Sequence, residues 1–249
     1  QSVALRIIVD REREIDSFKP EEFWSLEALF PVISKGDEKV NFTAKLNGIK
    51  GVKGRFRISD SNTVKNILAD LDDADYRVDL IKKKDKRNRP SAPFITSTLQ
   101  QEAWRKLRFT SRKTMVVAQQ LYEGISLGER GSTGLITYMR TDSTNVASSA
   151  ISEVREYISS KFGQEYHPKS PKLYTKKVKG AQEAHEAIRP TSIWDEPSSV
   201  QQFLNRDQSR LYDLIWKRML ASQMNDAVYD STTLEISASC VGSDKKYDF

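Results

Sequence analysis

The chain has 249 residues, 40 Lys and Arg against 34 Asp and Glu, and a formal charge of +6. With 38% hydrophobic residues it can build a packed core, which excludes wholesale disorder, and its single cysteine, Cys240, excludes an internal disulfide or a zinc ribbon made from this chain alone and suits a reducing cytoplasm. No apolar run approaches the roughly 20 residues that cross a bilayer, and Ile7-Ile8-Val9 breaks at once into charged residues, so it is no signal peptide.

Residues 3–18 read as a helix with Leu5, Ile8 and Ile15 on one side, stopped by Pro20. The period then changes. Trp24, Leu26, Ala28 and Phe30 alternate, as do Val40, Phe42, Ala44 and Leu46, and Asn47-Gly48 offers a turn. Ser61 or Asn62 is placed to cap a short helix with Val64, Ile67, Leu68 and Leu71 on its apolar side. Asp72-Asp73-Ala74-Asp75 reads as a polar turn rather than a metal site, and Tyr76, Val78 and Leu80 as a strand. Six of the eight residues 82–89 are Lys or Arg, and Pro90 and Pro93 follow, which predicts an exposed linker at a domain boundary.

The middle of the chain is helical. Leu99, Ala103 and Leu107 define one helix and Met115, Ala118 and Tyr122 a second, joined at Phe109-Thr110-Ser111. Arg105, Lys106, Arg108, Arg112 and Lys113 surround the joint, so a DNA-binding helix-turn-helix is a candidate, although most helix pairs bind no DNA. Residues 124–134 predict a mobile Gly/Ser-rich loop, 135–141 an extended stretch, 150–162 an amphipathic helix, 163–181 irregular chain, 207–224 a strong helix, and 229–238 a final strand. The fold class is therefore α+β: a β-rich domain whose last strand returns after a helical insertion.

Two constellations could carry chemistry. In an extended segment, residues two apart share a face, which puts Tyr138, Arg140 and Asp142 side by side. A tyrosine hydroxyl has a pKa of about 10 in water. A fixed guanidinium favours the phenolate and holds phosphate oxygens, so the pair suits attack on a phosphodiester. The second is the stretch 182–190, where a helical turn over 183–189 would place His185 and Arg189 on one face, ready to neutralise charge at phosphorus. Spacing alone leaves plain strand packing and a plain surface helix open for both. No P-loop occurs, which removes the obvious route to ATP.

These same stretches, Gly134-Leu-Ile-Thr-Tyr-Met-Arg-Thr-Asp-Ser-Thr-Asn145 and Gln182-Glu-Ala-His-Glu-Ala-Ile-Arg-Pro-Thr191, resemble the bacterial type IA DNA topoisomerases. Shorter matches at 1–6, 20–24, 93–100, 120–123 and 229–233 keep the family's order along nearly the whole chain. The resemblance implies that Tyr138 attacks one DNA strand and keeps its 5′-phosphate, that Arg140 positions the scissile phosphate, and that His185 contacts backbone phosphate nearby, with Arg189 a weaker companion. Gln1 and Ser2 match the tail of a box that touches bound single strand. Asp142, Arg112 and Lys113 join these as expected DNA contacts.

It further implies a gate-domain helix remnant at 1–18, a discontinuous β-rich hinge or arch at 19–89 and 225–249, and at 90–224 an inserted helical, CAP-like domain carrying the tyrosine. The partners implied are single-stranded and negatively supercoiled duplex DNA, with no membrane, for a monomer of the bacterial cytoplasm associated with the nucleoid. Magnesium is the implied cofactor of the whole enzyme, held by a Toprim domain of which no part matches here. The chain thus reads as a central piece, inactive alone. A non-catalytic DNA-binding module is the competing reading. A tyrosine recombinase is disfavoured because there the tyrosine follows the Arg and His, whereas Tyr138 precedes His185.

Overall fold

The structure, a computed structural model, describes residues 2–32, 40–52, 56–174 and 185–249. In chain order the elements are α1 (Val3–Asp16), β1 (Glu27–Val32), β2 (Val40–Lys45), β3 (Gly48–Ile49), α2 (Ser61–Asp72), β4 (Asp75–Asn88), α3 (Thr96–Leu107), α4 (Ser111–Glu123), β5 (Ile125–Ser126), β6 (Ser132–Thr133), α5 (Ser148–Lys161), α6 (Pro197–Val200), α7 (Arg206–Ser222), β7 (Ala227–Ser239) and β8 (Lys246–Asp248). This is an α+β chain, and it divides into two compact units, Gln1–Lys84 with Asp230–Phe249, and Asp85–Tyr229.

The first unit is β-rich. β1 and β2 pair antiparallel, with Phe30 opposite Phe42 and their rings stacked at 5.3 Å. The other sheet has the order β3-β8-β7-β4. Ile236, Ala238 and Tyr247 from this sheet bury against Val64 and Ile67 of α2, and Cys240 lies among them with its thiol pKa pushed up by burial. Asp60, not Ser61 or Asn62, caps α2: its carboxylate accepts from the Thr63 N–H at 2.9 Å. Leu68, expected on the apolar face, is exposed. Trp24 lies ahead of β1 and makes one isolated bridge to Ile58, and Gly48 opens β3 rather than ending in a turn. No residue of α1 is buried, so Leu5, Ile8 and Ile15 form an uncovered apolar stripe.

The basic run corrects the sequence expectation. Residues 82–88 are not a loop but the continuation of β4, every residue of which is exposed. Pairing within the sheet satisfies the backbone whatever the side chains, and a row of lysines suits a strand at the edge of a sheet.

The second unit is built around α7. Leu211, Ile215, Met219 and Leu220 pack with Leu99 and Ala103 of α3, Val117, Ala118 and Leu121 of α4, and Val154 and Ile158 of α5. The capping box at Asn205 and Gln208 starts α7. Two polar aromatics on it are satisfied by loop carbonyls: the Tyr212 hydroxyl donates to Asp195 at 2.6 Å and the Trp216 indole to Ile193 at 2.9 Å. The face of α4 sits one residue from the expected one. Thr114, Val117, Ala118 and Leu121 are buried, whereas Tyr122 is 41% exposed.

The 124–134 stretch is also more ordered than expected. β5 and β6 form an antiparallel hairpin that turns through Gly128 and Gly131, both at positive φ (67° and 68°). Arg130 anchors its tip with two hydrogen bonds to Asp195, at 2.6 and 3.0 Å. Of 163–181, residues 163–174 are irregular apart from one turn at Gln164–Tyr166, and 175–181 lie outside the described residues.

Ile215 is fully buried where α3, α4 and α5 meet α7. We expect Ile215→Ala to cost about 2–5 kcal/mol of stability, read as a lower urea midpoint in the fluorescence of neighbouring Trp216. Tyr157 is 3% exposed and donates to Glu196 at 2.9 Å, and burial first and then this bond push its pKa up to about 12. Its contribution is complete below the unfolded value of about 10 and is lost as pH rises from about 10 towards 12. An alkaline titration of the far-ultraviolet dichroism should show that loss, and Tyr157→Phe should flatten it.

Candidate active site

The site is assembled from three stretches that make little regular sheet. The N–H of Leu135 donates to the Leu121 carbonyl at the end of α4 (2.7 Å), and the N–H of Thr191 donates back to Leu135 (3.0 Å). Ile136 bridges Pro190, and Phe94 bridges Ile188. The Thr137 hydroxyl donates to the Ala187 carbonyl at 2.7 Å and accepts from the Arg189 N–H at 3.0 Å. The Thr96 hydroxyl, in the first turn of α3, lies 2.8 and 3.0 Å from the carbonyls of Met139 and Thr141 and accepts from the Thr141 N–H at 2.9 Å. The expected helical turn over 183–189 is therefore absent from 185–189, which runs extended, while 183 and 184 lie outside the described residues. Its backbone groups from 187 to 189 are taken instead by Asn145, Phe94 and Thr137, distant in sequence, rather than by an i, i+4 ladder.

On this scaffold burial alternates. Met139, Thr141 and Ser143 are buried, and Tyr138, Arg140 and Asp142 are exposed. The two-residue period thus places the three candidate side chains on one face although no regular strand forms. The Tyr138 ring, 42% exposed, meets two others edge-on: Tyr122 at 5.3 Å and His185 at 6.4 Å between centroids. His185 in turn lines a concavity of about 340 Å³ with Arg140, Asp142 and the start of α3 at Ile95, Thr96 and Ser97. A phenol ring, an imidazole and a guanidinium are so grouped at one open surface.

The remaining expected contacts fall elsewhere. Arg189 is not at this surface. Its side chain is 13% exposed and tied to Glu186 at 2.8 Å and to the Pro190 carbonyl at 3.0 Å, so it braces the loop. Glu186 also accepts from the Ala147 N–H at 2.7 Å, joining that loop to the start of α5. Lys113 pairs with Asp207 at 2.7 Å and lies 4.4 Å over the Phe109 ring, while Arg112 is exposed on the first turn of α4. Ser2 is exposed at the start of α1, in the other unit, and Gln1 lies outside the described residues. Thr96 and Thr137 were not singled out from the sequence, and Tyr122 only as a face residue of its helix, although all three lie within matched segments.

Among the described residues no three His, Cys, Asp or Glu side chains come together as a metal site.

The chain was compared with known proteins. The family described as DNA topoisomerase matches residues 1–248. A DNA topoisomerase 1 of Xylella fastidiosa (strain 9a5c) is 47% identical over 242 residues, covering 96% of this chain and 29% of the relative. A full-length topoisomerase I from Thermotoga maritima, solved in a monoclinic crystal form, superposes with a TM-score of 0.72 at 36% identity, over 98% of this chain and 36% of that one. The chain thus spans about a third of the length of these two proteins.

Gly134 tests the scaffold. A Cβ there would lie 2.6 Å from the Tyr122 carbonyl oxygen, a backbone atom that cannot swing away. Gly134→Ala is expected to cost about 1–3 kcal/mol and to shift the Tyr138 ring, seen as a lower melting temperature and altered tyrosine near-ultraviolet dichroism.

Proposed function

Because the chain belongs to the DNA topoisomerase family, matched from its first residue to residue 248, we propose that it is the tyrosine-bearing portion of a type IA enzyme that cleaves one DNA strand, passes a strand through the gap and reseals it. The observation that carries this reading is the exposed Tyr138 ring set edge-on to His185, with Arg140 on the same face. The phenol oxygen, its proton released to solvent, attacks the phosphorus of a DNA phosphodiester. An O–P bond to Tyr138 forms at the 5′-phosphate, and the bond to the 3′ oxygen breaks as that oxygen takes up a proton. Reversal restores the strand and frees the phenol. One ester replaces another at each step, so resealing needs no nucleotide, and negative supercoils relax without ATP. Arg140 holds non-bridging phosphate oxygens with paired donors, and His185 adds a donor as charge develops there.

Magnesium belongs to the whole enzyme in this reading, on ligands outside the stretch that carries Tyr138. The acid that assists the 3′ oxygen is assigned to the same missing portion. The chain alone is therefore inactive. Its partners are single-stranded DNA and negatively supercoiled duplex, met by a monomer in the bacterial cytoplasm at the nucleoid. Contacts to phosphates make the binding salt-sensitive. Arg140, His185, Asp142 and Arg112 are its contacts in the helical unit, with Gln1 and Ser2 in the other.

We expect the purified chain with magnesium to leave a supercoiled plasmid unchanged. Clear relaxation would overturn the inactivity of the isolated chain. In the longer enzyme, Tyr138→Phe should abolish 5′-phosphotyrosine adducts while strand binding persists. Undiminished cleavage by that variant would instead favour a DNA-binding module in which Tyr138 only packs.

A further inference from the structure

A second basic concavity, of about 500 Å³, opens on the helical unit between the C-terminal turn of α3 and α7, and Ser91, Lys106, Arg210, Asp213, Lys217 and Arg218 line it. Two of its guanidiniums are held in place. Arg210 lies 5.4 Å over the Phe109 ring and donates to the Leu107 carbonyl at 3.3 Å. Arg218 lies 4.3 Å over the Phe94 ring, and its side chain is only 19% exposed. Its ion pair, with Glu102, is long at 3.6 Å, and Glu102 is shared with Arg105 at 3.2 Å and Lys106 at 3.4 Å. Asp213 is engaged by Lys217 at 2.8 Å. Four cations, Lys106, Arg210, Lys217 and Arg218, thus line the groove with one carboxylate, Asp213. Crowded like charge is relieved by an anion, and arginines stacked on rings lose little freedom when they bind one.

The position of the groove says which anion. The first turn of α3 lines the concavity that holds Arg140 and His185, and the last turn of α3 lines this one. At 1.5 Å per residue the two ends of α3 are about 17 Å apart, the reach of a few nucleotides, or of about five at the roughly 3.4 Å rise of a duplex strand. We infer that the α3–α7 groove is a second phosphate-contact site, taking the backbone of the DNA strand that also reaches Tyr138. This rests on the function proposed above. Contacts of this kind place a strand without reading its bases.

The test is anisotropy of a fluorescent 16-residue oligothymidylate with this chain at several sodium chloride concentrations. The variants are Lys106→Gln/Arg210→Gln/Lys217→Gln and, separately, Arg140→Gln. Losing three contacts should flatten the plot of log affinity against log salt by about 2, at about 0.7 per single-strand phosphate. Because Arg210 also holds the end of α3, Lys106→Gln/Lys217→Gln serves if melting shows the triple variant unfolded. Those side chains are 61% and 68% exposed, and the slope should fall by about 1.4. An unchanged slope in the groove variants, with binding weakened by Arg140→Gln, would overturn the groove and leave the Tyr138 reading standing. A lost slope with Arg140→Gln indifferent would uphold the groove and count against that reading. If inorganic phosphate displaces the oligonucleotide far better than chloride of equal ionic strength, and the groove slope is unchanged, the site holds small anions only and the inference fails. No binding by the unaltered chain would overturn both.

Discussion

Two threonine hydroxyls hold the candidate site in shape. Thr137 joins the stretch that carries Tyr138 to 187–189, and Thr96 joins its far end to α3. Neither stretch has a full sheet ladder, so these side chains supply partners that strand neighbours would otherwise provide. A net hydrogen bond is worth only about 0.5–1.5 kcal/mol, but leaving a buried partner unmade costs about 1–3 kcal/mol. The web is therefore kept less by what each bond adds than by what its loss would strand. Beneath it, α7 fixes α3 and α4, whose ends are the anchor points.

This arrangement explains how an irregular segment presents a reactive face. A regular strand at that place would need edges and partners along its whole length. Here the backbone is pinned at a few points, and the surface between them stays open. The aromatic contacts do the remaining orientation: the Tyr138 ring meets those of Tyr122 and His185 edge-on. Cations on the helical unit are held in the same fashion, with Lys113, Arg210 and Arg218 each seated over a phenylalanine ring. Stacking of this kind keeps a charge at the surface while its stem packs.

Periodicity made much of this legible. Leu99 and Ala103 are both fully buried where a 3.6-residue repeat puts them, and Tyr138, Arg140 and Asp142 share a face by the two-residue repeat. What escaped was set by tertiary partners. The basic run continues β4 because the sheet supplies hydrogen bonds that no side-chain pattern announces. The stretch after His185 is extended because Phe94 and Ile136, distant in sequence, take its backbone. The face of α4 shifted because Thr114 buries its hydroxyl by donating to the Thr110 carbonyl at 2.9 Å, while Tyr122 swings out to meet Tyr138. The proximity of Tyr138, Arg140 and His185 could be expected only from likeness to a family, since nothing local links residue 138 to residue 185.

The alternation at 138–143 divides labour within a single run of six residues. Odd positions are buried and answer to packing, while even positions face solvent. Heritable change in this stretch should therefore fall into two sorts: damage at Met139, Thr141 or Ser143 shows as loss of soluble product, and damage at Tyr138, Arg140 or Asp142 as a sound protein with altered behaviour. A segment so organised lets its outward side chains be exchanged for new ones while the architecture beneath is left alone.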